Sequence, residues 1–139
     1  MPETLTKTLV IPSTLKAAHN AQEAIMQAVR GSGVLAEAAF AIRLALDEAL
    51  SNAVRHGNGA DPCKKVTIAY IVSDDTVEIS ISDQGEGFKP GDVPDPTLAE
   101  NLERPHGRGI MLMKAYMSAV RFNGEGNRVT LVKIRDGDD

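Results

Sequence analysis

The sequence predicts an α/β two-layer sandwich, with helices on one face of a mixed, largely antiparallel sheet. Short β-branched segments alternate apolar and polar residues, whereas two long segments repeat apolar residues at helical spacing. A polar four-residue turn, residues 73–76, joins two alternating segments as a hairpin. The predicted elements are, in order, a strand at 4–11, a helix from an N-cap at Ser13 to about Arg30, a helix ending at 57–59, strands at 66–72 and 77–82, a short helix at about 109–117, and strands at 120–122 and 128–134.

Length and composition predict one domain over residues 1–139. Only 4% of the residues are aromatic, so aliphatic side chains and methionine must fill the core. A net charge of −4 without a Lys/Arg cluster argues against nucleic acid as the main partner. The chain has no apolar stretch long enough to span a bilayer and no signal-peptide pattern at its start, which predicts a cytoplasmic protein without a membrane partner. The single cysteine, Cys63, cannot close an intrachain disulfide.

Residues 89–106 form a long segment without strand or helix periodicity. The segment contains four prolines, at positions 90, 94, 96 and 105, and many polar residues. Such an insert in a small domain is typical of a functional lid or a disordered segment. We expect a flexible lid that is mobile without a ligand, because polar, proline-rich sequence buries little surface.

A carboxylate and a carboxamide lie one turn apart in the second predicted helix. At about 100° per residue, Glu48 and Asn52 project within roughly 40° of each other, and His56 lies one turn further along. The apolar residues of this helix cluster on the far side, which is the predicted core face. Such a pair can bind hydrated Mg²⁺ and a phosphate, because Mg²⁺ takes a few protein oxygens and keeps several waters. The alternative interpretation is an ordinary solvated helix face.

A second motif begins where the strand 77–82 ends. Asp83 continues the parity of the apolar residues of that strand, which predicts a carboxylate on the interior side. Gly85 and Gly87 let a backbone approach a flat ligand closely. The arrangement suits acceptance of a hydrogen bond from an exocyclic amine such as that of adenine. The alternatives are an Asp-Gly turn or a calcium loop, although Gln84 and Gly85 break the ligand spacing of a calcium loop.

A third motif places Gly107 and Gly109 at the start of the predicted short helix. Free backbone N–H groups and the helix dipole make such a start an anion site. Arg104 and Arg108 add positive charge beside it, unless they are solvated surface residues. The spacing matches neither a P-loop nor a dinucleotide fingerprint, and a glycine pair of this kind also serves packing or a turn.

Taken in order, the three motifs resemble those of the GHKL (Bergerat-fold) ATP-binding superfamily. The matching boxes are the N-box, the adenine-side glycine box and the box at the end of the lid, which here read Glu48-x-x-x-Asn52, Asp83-x-Gly85-x-Gly87-Phe88 and Gly107-x-Gly109. Within that superfamily the chain looks like the anti-sigma-factor serine/threonine kinases, over residues from about 5 to 133. His56-Gly57 after the N-box and Leu102-Glu103-Arg104 before the last glycines carry this likeness.

The resemblance implies a role for each matching residue. Glu48 would be the general base for a substrate serine or threonine hydroxyl, Asn52 would coordinate Mg²⁺, and Asp83 would bind the adenine amino group. Where the family carries Gly-Thr before its final strand, this chain has Gly126-Asn127, so the matching contact falls to Asn127 or Thr130. The ATP-binding set that the resemblance implies is Asn52, Arg55, His56, Asp83, Gly85, Gly87, Phe88, Arg104, Gly107, Arg108, Gly109, Ile110, Asn127 and Thr130.

The resemblance also implies a function, that of a protein serine/threonine kinase in a partner-switching system with ATP and Mg²⁺ as cofactors. Such a kinase sequesters a sigma factor or another output protein, and it phosphorylates a small antagonist protein of the STAS type. The subgroup is commonly dimeric, so we expect a homodimer. Three alternatives remain open, namely a nucleotide-gated binding module without kinase activity, a catalytic fragment of a histidine kinase and a plain ATPase. The presence of Glu48 favours the kinase over the binding module.

Overall fold

The fold is that of a computed structural model, and the structure describes residues 4–59, 61–84, 113–123 and 127–134. The predicted lid, the lid-end glycine box and the part of the adenine-side glycine box that follows Gln84 lie outside the described residues. Residues 113–116 are helical. The remaining elements are β1 (Leu5–Pro12), α1 (Leu15–Gly31), α2 (Ala36–Asn52), a π-helical turn (Ala53–Gly57), β2 (Lys65–Val72), β3 (Thr76–Ser82), β4 (Ala119–Phe122) and β5 (Arg128–Ile134).

The five described strands form one sheet in the order β1-β2-β3-β5-β4. All four neighbouring pairs are antiparallel, so the described part of the sheet is not mixed. The predicted α/β class and the largely antiparallel sheet are confirmed. Pro12 ends β1, which is an edge strand, and a proline without an N–H group is tolerated there.

The core lies between the two helices and one face of the sheet. Alternate residues of the central strands are buried, and the register sets Ile68 of β2 opposite Ile81 of β3 and Ile79 opposite Leu131 of β5. Each such side chain contributes roughly 1.5–3 kcal/mol when fully buried. The helices contribute aliphatic residues to the same cluster, among them Ile25 and Ile42, both fully buried.

α1 begins one residue later than the sequence predicts. Thr14, not Ser13, is the N-cap, and its hydroxyl accepts a hydrogen bond from the Ala17 amide at 3.1 Å. Ser13 is buried and its hydroxyl accepts a hydrogen bond from Asn58 instead. The capping prediction was therefore wrong, because a tertiary contact takes the hydroxyl of Ser13.

α2 changes its helical form directly after Asn52. The amide of Asn58 donates to the carbonyl of Ala53, five residues earlier, at 2.9 Å. This is the hydrogen bond of a π-helix, which is rare and often found at functional sites. The α-helical spacing used to align His56 with Asn52 therefore holds only as far as Asn52.

A buried amide side chain joins the two helices. Gln22 of α1 is 4% exposed, and its Nε2 donates to the carbonyl of Arg43 in α2 at 3.2 Å. The helix pair packs as a layer on the sheet, and α2 contacts β3 and β5.

None of the helices in the described ranges is both long enough and apolar enough to cross a membrane.

Tyr70 makes the free energy of unfolding depend on pH in the alkaline range. Its side chain lies on the core face of β2, and burial raises the pKa of its hydroxyl above the ordinary value of 10.0. Above that pH the unfolded chain releases the proton while the folded protein keeps it, so the free energy of unfolding falls as pH rises. We expect a steeper fall above about pH 10 for the unaltered protein than for Tyr70→Phe, in urea titrations. Parallel curves for the two proteins would contradict the burial of this hydroxyl.

Candidate functional site

Glu48 and Asn52 share one flank of α2. Four residues of α-helix advance about 6 Å and turn through roughly 40° beyond a full circle, so the carboxylate and the carboxamide follow one another along the helix. Both side chains are half-buried. The buried residues beside them, Ala45 and Ala49, are small. The flank therefore presents a carboxylate and a carboxamide beside an apolar surface formed by small side chains.

The opposite flank of α2 borders a groove against α1. Asp47, Ser51 and Arg55 line this groove together with Leu15 and His19 of α1. Neither Glu48 nor Asn52 lines it. The structure therefore places Arg55, which the resemblance assigned to ATP binding, in the α1–α2 groove and does not bring it to the flank of Glu48.

Asp83 lies directly after β3, as predicted, and is half-buried. Its backbone amide donates to the carbonyl of Asn127 at 2.9 Å. The side chain of Asn123 holds Asn127 in turn, because its Nδ2 donates to Oδ1 of Asn127 at 2.7 Å and its Oδ1 accepts from the Asn127 amide at 3.0 Å. The structure thus brings Asp83 and Asn127 together where β3 ends and β5 begins, a part of the sheet that we call the Asp83 edge.

Thr130 does not join them. Its hydroxyl lies 3.0 Å from the hydroxyl of Ser80, its partner on β3. Val129 and Leu131 on either side point into the core. Thr130 therefore lies on the face of the sheet away from the helices, and Asn127 alone of the two predicted residues is beside Asp83.

A buried carboxamide links the helix to the strand end. Asn58 follows the π-helical turn and is only 2% exposed. Its Nδ2 donates to the hydroxyl of Ser13 at 3.0 Å and to the carbonyl of Lys65 at 2.9 Å. Its Oδ1 accepts from the backbone amide of Gln84 at 2.7 Å. One side chain therefore connects the chain after α2 with the ends of β1, β2 and β3, and we call it the Asn58 clamp.

The sequence reasoning missed this clamp. Asn58 stands between Gly57 and Gly59, where the pattern indicates only a helix end, and Gln84 enters the sequence analysis only as a residue that breaks the spacing of a calcium loop. Gln84 adds a further bond, since its Oε1 accepts from the Lys65 amide at 2.6 Å. The burial of a polar residue inside a polar turn has no signature in a single sequence, so no pattern could have revealed it.

The remaining predicted residues lie outside the described residues. They are Gly85, Gly87, Phe88, Arg104, Gly107, Arg108, Gly109 and Ile110, and the side chain of His56 joins them. Of the predicted nucleotide site, the described residues thus include the Glu48 flank of α2 and the Asp83 edge of the sheet.

The side-chain oxygens of Glu48 and Asn52 are candidate ligands for a magnesium ion. Within residues 4–59, 61–84, 113–123 and 127–134, no group of three or more His, Cys, Asp or Glu side chains could hold a metal. The oxygens of Glu48 and Asn52 are the ligand type that Mg²⁺ prefers, and Mg²⁺ usually binds through one or two protein oxygens plus substrate phosphates. The residues present therefore fit a metal that arrives with a phosphate ligand, and not a cage made by the described residues alone.

Comparison with known proteins identifies the class. A family model described as the histidine kinase-like ATPase domain matches residues 11–133. The anti-sigma F factor of Geobacillus stearothermophilus is 32% identical over 97 residues, which cover 68% of this chain and 66% of that protein. The serine-protein kinase RsbW of Listeria monocytogenes is 26% identical over 115 residues, which cover 73% of each.

A solved structure agrees with the fold. A crystal structure of the RsbU and RsbW domains of a Mycobacterium tuberculosis protein matches with a TM-score of 0.64 and 18% identity, over 94% of this chain and 32% of that one. The chain belongs to the histidine kinase-like ATPase domain family. The family predicted from the three motifs is thus confirmed, and the names of the two relatives are those of the subgroup that the sequence resembles.

Proposed function

We propose that this protein is an ATP-dependent serine/threonine protein kinase of the anti-sigma-factor type. It phosphorylates an antagonist protein, of the STAS type, and sequesters a sigma factor or another output protein. The observation that carries the proposal is the pairing of Glu48 with Asn52 on the flank of α2 opposite the α1–α2 groove, in a chain of the ATPase-domain family. The names of the relatives, an anti-sigma factor and a serine-protein kinase, support the choice of subgroup.

In the proposed phosphoryl transfer, residues of α2 act on the substrate proton and the metal, and residues at the strand ends bind the base. Glu48 accepts the proton of the substrate hydroxyl, and Asn52 offers its amide oxygen to the metal. Asp83, at the end of β3, accepts a hydrogen bond from the purine amine, and Asn127 holds the backbone of Asp83. When bound, ATP would supply the phosphoryl group, and Mg²⁺ held by Asn52 would neutralise negative charge on the phosphates. This division suits a reaction in which positioning and charge neutralisation provide most of the catalysis.

Asn52→Ala tests the metal assignment. We expect it to weaken ADP binding in the presence of Mg²⁺ by about tenfold or more, and to leave the weaker binding without Mg²⁺ nearly unchanged, because a metal ligand is lost. Calorimetric titration of ADP with and without Mg²⁺ measures both affinities. Ser51→Ala is the matched control, since Ser51 is the preceding residue but lines the α1–α2 groove. Equal losses with and without Mg²⁺ would reject Asn52 as the metal ligand.

Glu48→Gln tests the reaction itself. The amide keeps the shape of the side chain but is a poor proton acceptor, so we expect phosphate transfer to fall roughly 10²–10⁴-fold while ADP affinity changes little. The assay follows label from radiolabelled ATP onto a purified STAS-type antagonist. Asp47→Asn is the matched control, because Asp47 is the adjacent carboxylate on the other flank.

The same assay separates the alternatives. Label on a serine or threonine of the antagonist supports the kinase. Binding of the antagonist without any label supports a nucleotide-gated module, and release of free phosphate without an acceptor supports a plain ATPase. Label on a histidine supports a histidine-kinase fragment. Any of the last three results would overturn the proposed kinase activity.

A further inference from the structure

The phosphotransfer chemistry makes no direct use of Asn58, although few polar side chains of the described residues are as buried. All its side-chain hydrogen-bonding atoms have partners, namely Ser13, Lys65 and Gln84. Its backbone is also fixed, since the amide donates to Ala53 and the carbonyl accepts from the Asp61 amide at 3.2 Å. A buried amide with this many partners is held in one orientation, because each lost bond leaves a desolvated group without compensation.

The Asn58 clamp lies between the two described halves of the pocket. On one side it continues from the C-terminal part of α2, which carries Glu48 and Asn52, through the π-helical turn. On the other side it holds the amide of Gln84, which follows Asp83 directly in the chain. The preceding amide, that of Asp83, is held by Asn127. The backbone around Asp83 is therefore fixed at two successive amides, of which only the second is fixed to the helix layer.

From this arrangement we propose that Asn58 is a positioning residue that fixes Asp83 relative to α2 and so sets the preference for an adenine base. The proposal rests on the proposed function, in which Asp83 accepts a hydrogen bond from the exocyclic amine of the purine. Such a bond weakens steeply when its distance or angle departs from the optimum. Releasing the amide of Gln84 lets the strand end move relative to the helix, and recognition of the amine is lost before the phosphate contacts are.

The experiment compares two bases that differ at the recognised atom. Inosine diphosphate carries a carbonyl oxygen where ADP carries the amine, and it also carries a proton on N1, so the ratio of the two affinities reports on recognition of this edge of the base. We expect the unaltered protein to prefer ADP, and Asn58→Ala to lower this preference by about tenfold, the effect of losing a hydrogen bond to a charged acceptor. Calorimetry in the presence of Mg²⁺ gives both affinities.

The control variant lowers the stability of the fold and leaves the hydrogen bonds of the Asn58 clamp in place. Val77 is fully buried at the opposite end of β3, and Val77→Ala leaves a cavity there. We expect Val77→Ala to keep the ADP preference of the unaltered protein, because a purely structural loss does not act on the base. An unchanged preference in folded Asn58→Ala would overturn the proposal.

A milder variant keeps the test decisive if Asn58→Ala does not fold. Ser13→Ala removes only the bond between Nδ2 of Asn58 and the Ser13 hydroxyl. We expect it to lower the ADP preference by a smaller factor in the same direction, and no reduction would overturn the proposal. Failure of the unaltered protein to bind ADP at all would overturn the proposed function and this inference together, whereas a normal ADP preference that survives both substitutions overturns the inference alone.

Discussion

A single buried carboxamide determines how the parts of this molecule meet. Asn58 makes three side-chain hydrogen bonds to three separate segments, and together they close the junction at the end of α2. Each buried group that loses its partner costs about 1–3 kcal/mol, so the helix layer and the strand ends are held in one relative arrangement. The π-helical turn before Asn58 contributes to the same constraint. Its hydrogen bond from the Asn58 amide to the Ala53 carbonyl fixes the position of the carboxamide beside the strand ends.

The same constraint bears on the proposed nucleotide site, whose residues come from elements far apart in the chain. The acid–amide pair of Glu48 and Asn52 comes from a helix, and the carboxylate of Asp83 comes from a strand end. In the proposed reaction, phosphoryl transfer would depend mainly on positioning and on charge neutralisation, so the relative placement of these groups would matter more than any one of them. The antiparallel sheet supplies the rigid part, and the buried aliphatic residues of α1 and α2 fix the helices upon it.

The sequence predicts the parts of this molecule that follow periodic patterns. The alternation in β2 and β3, the hairpin between them and the one-turn spacing of Glu48 and Asn52 all derive from local geometry, and the structure has them as predicted. The errors fall where tertiary contacts decide. The N-cap predicted at Ser13 is wrong, because the Ser13 hydroxyl accepts a hydrogen bond from Asn58. Arg55 lines the α1–α2 groove, and its role toward a nucleotide stays a prediction. Asn58 itself carries no signal, since its burial depends on three segments that the sequence does not show to be neighbours.

In the proposed kinase, one adenine-nucleotide site spans the Glu48 flank of α2 and the Asp83 edge of the sheet. The most direct measurement is a titration of isotope-labelled protein with ADP and Mg²⁺, in which backbone amide chemical shifts are followed by NMR. We expect the largest changes at residues 48–52 and 83–84, with little change at residues 6–9 of the edge strand β1. Changes confined to His19 and Gln22 in the α1–α2 groove, or no changes at saturating ADP, would contradict it.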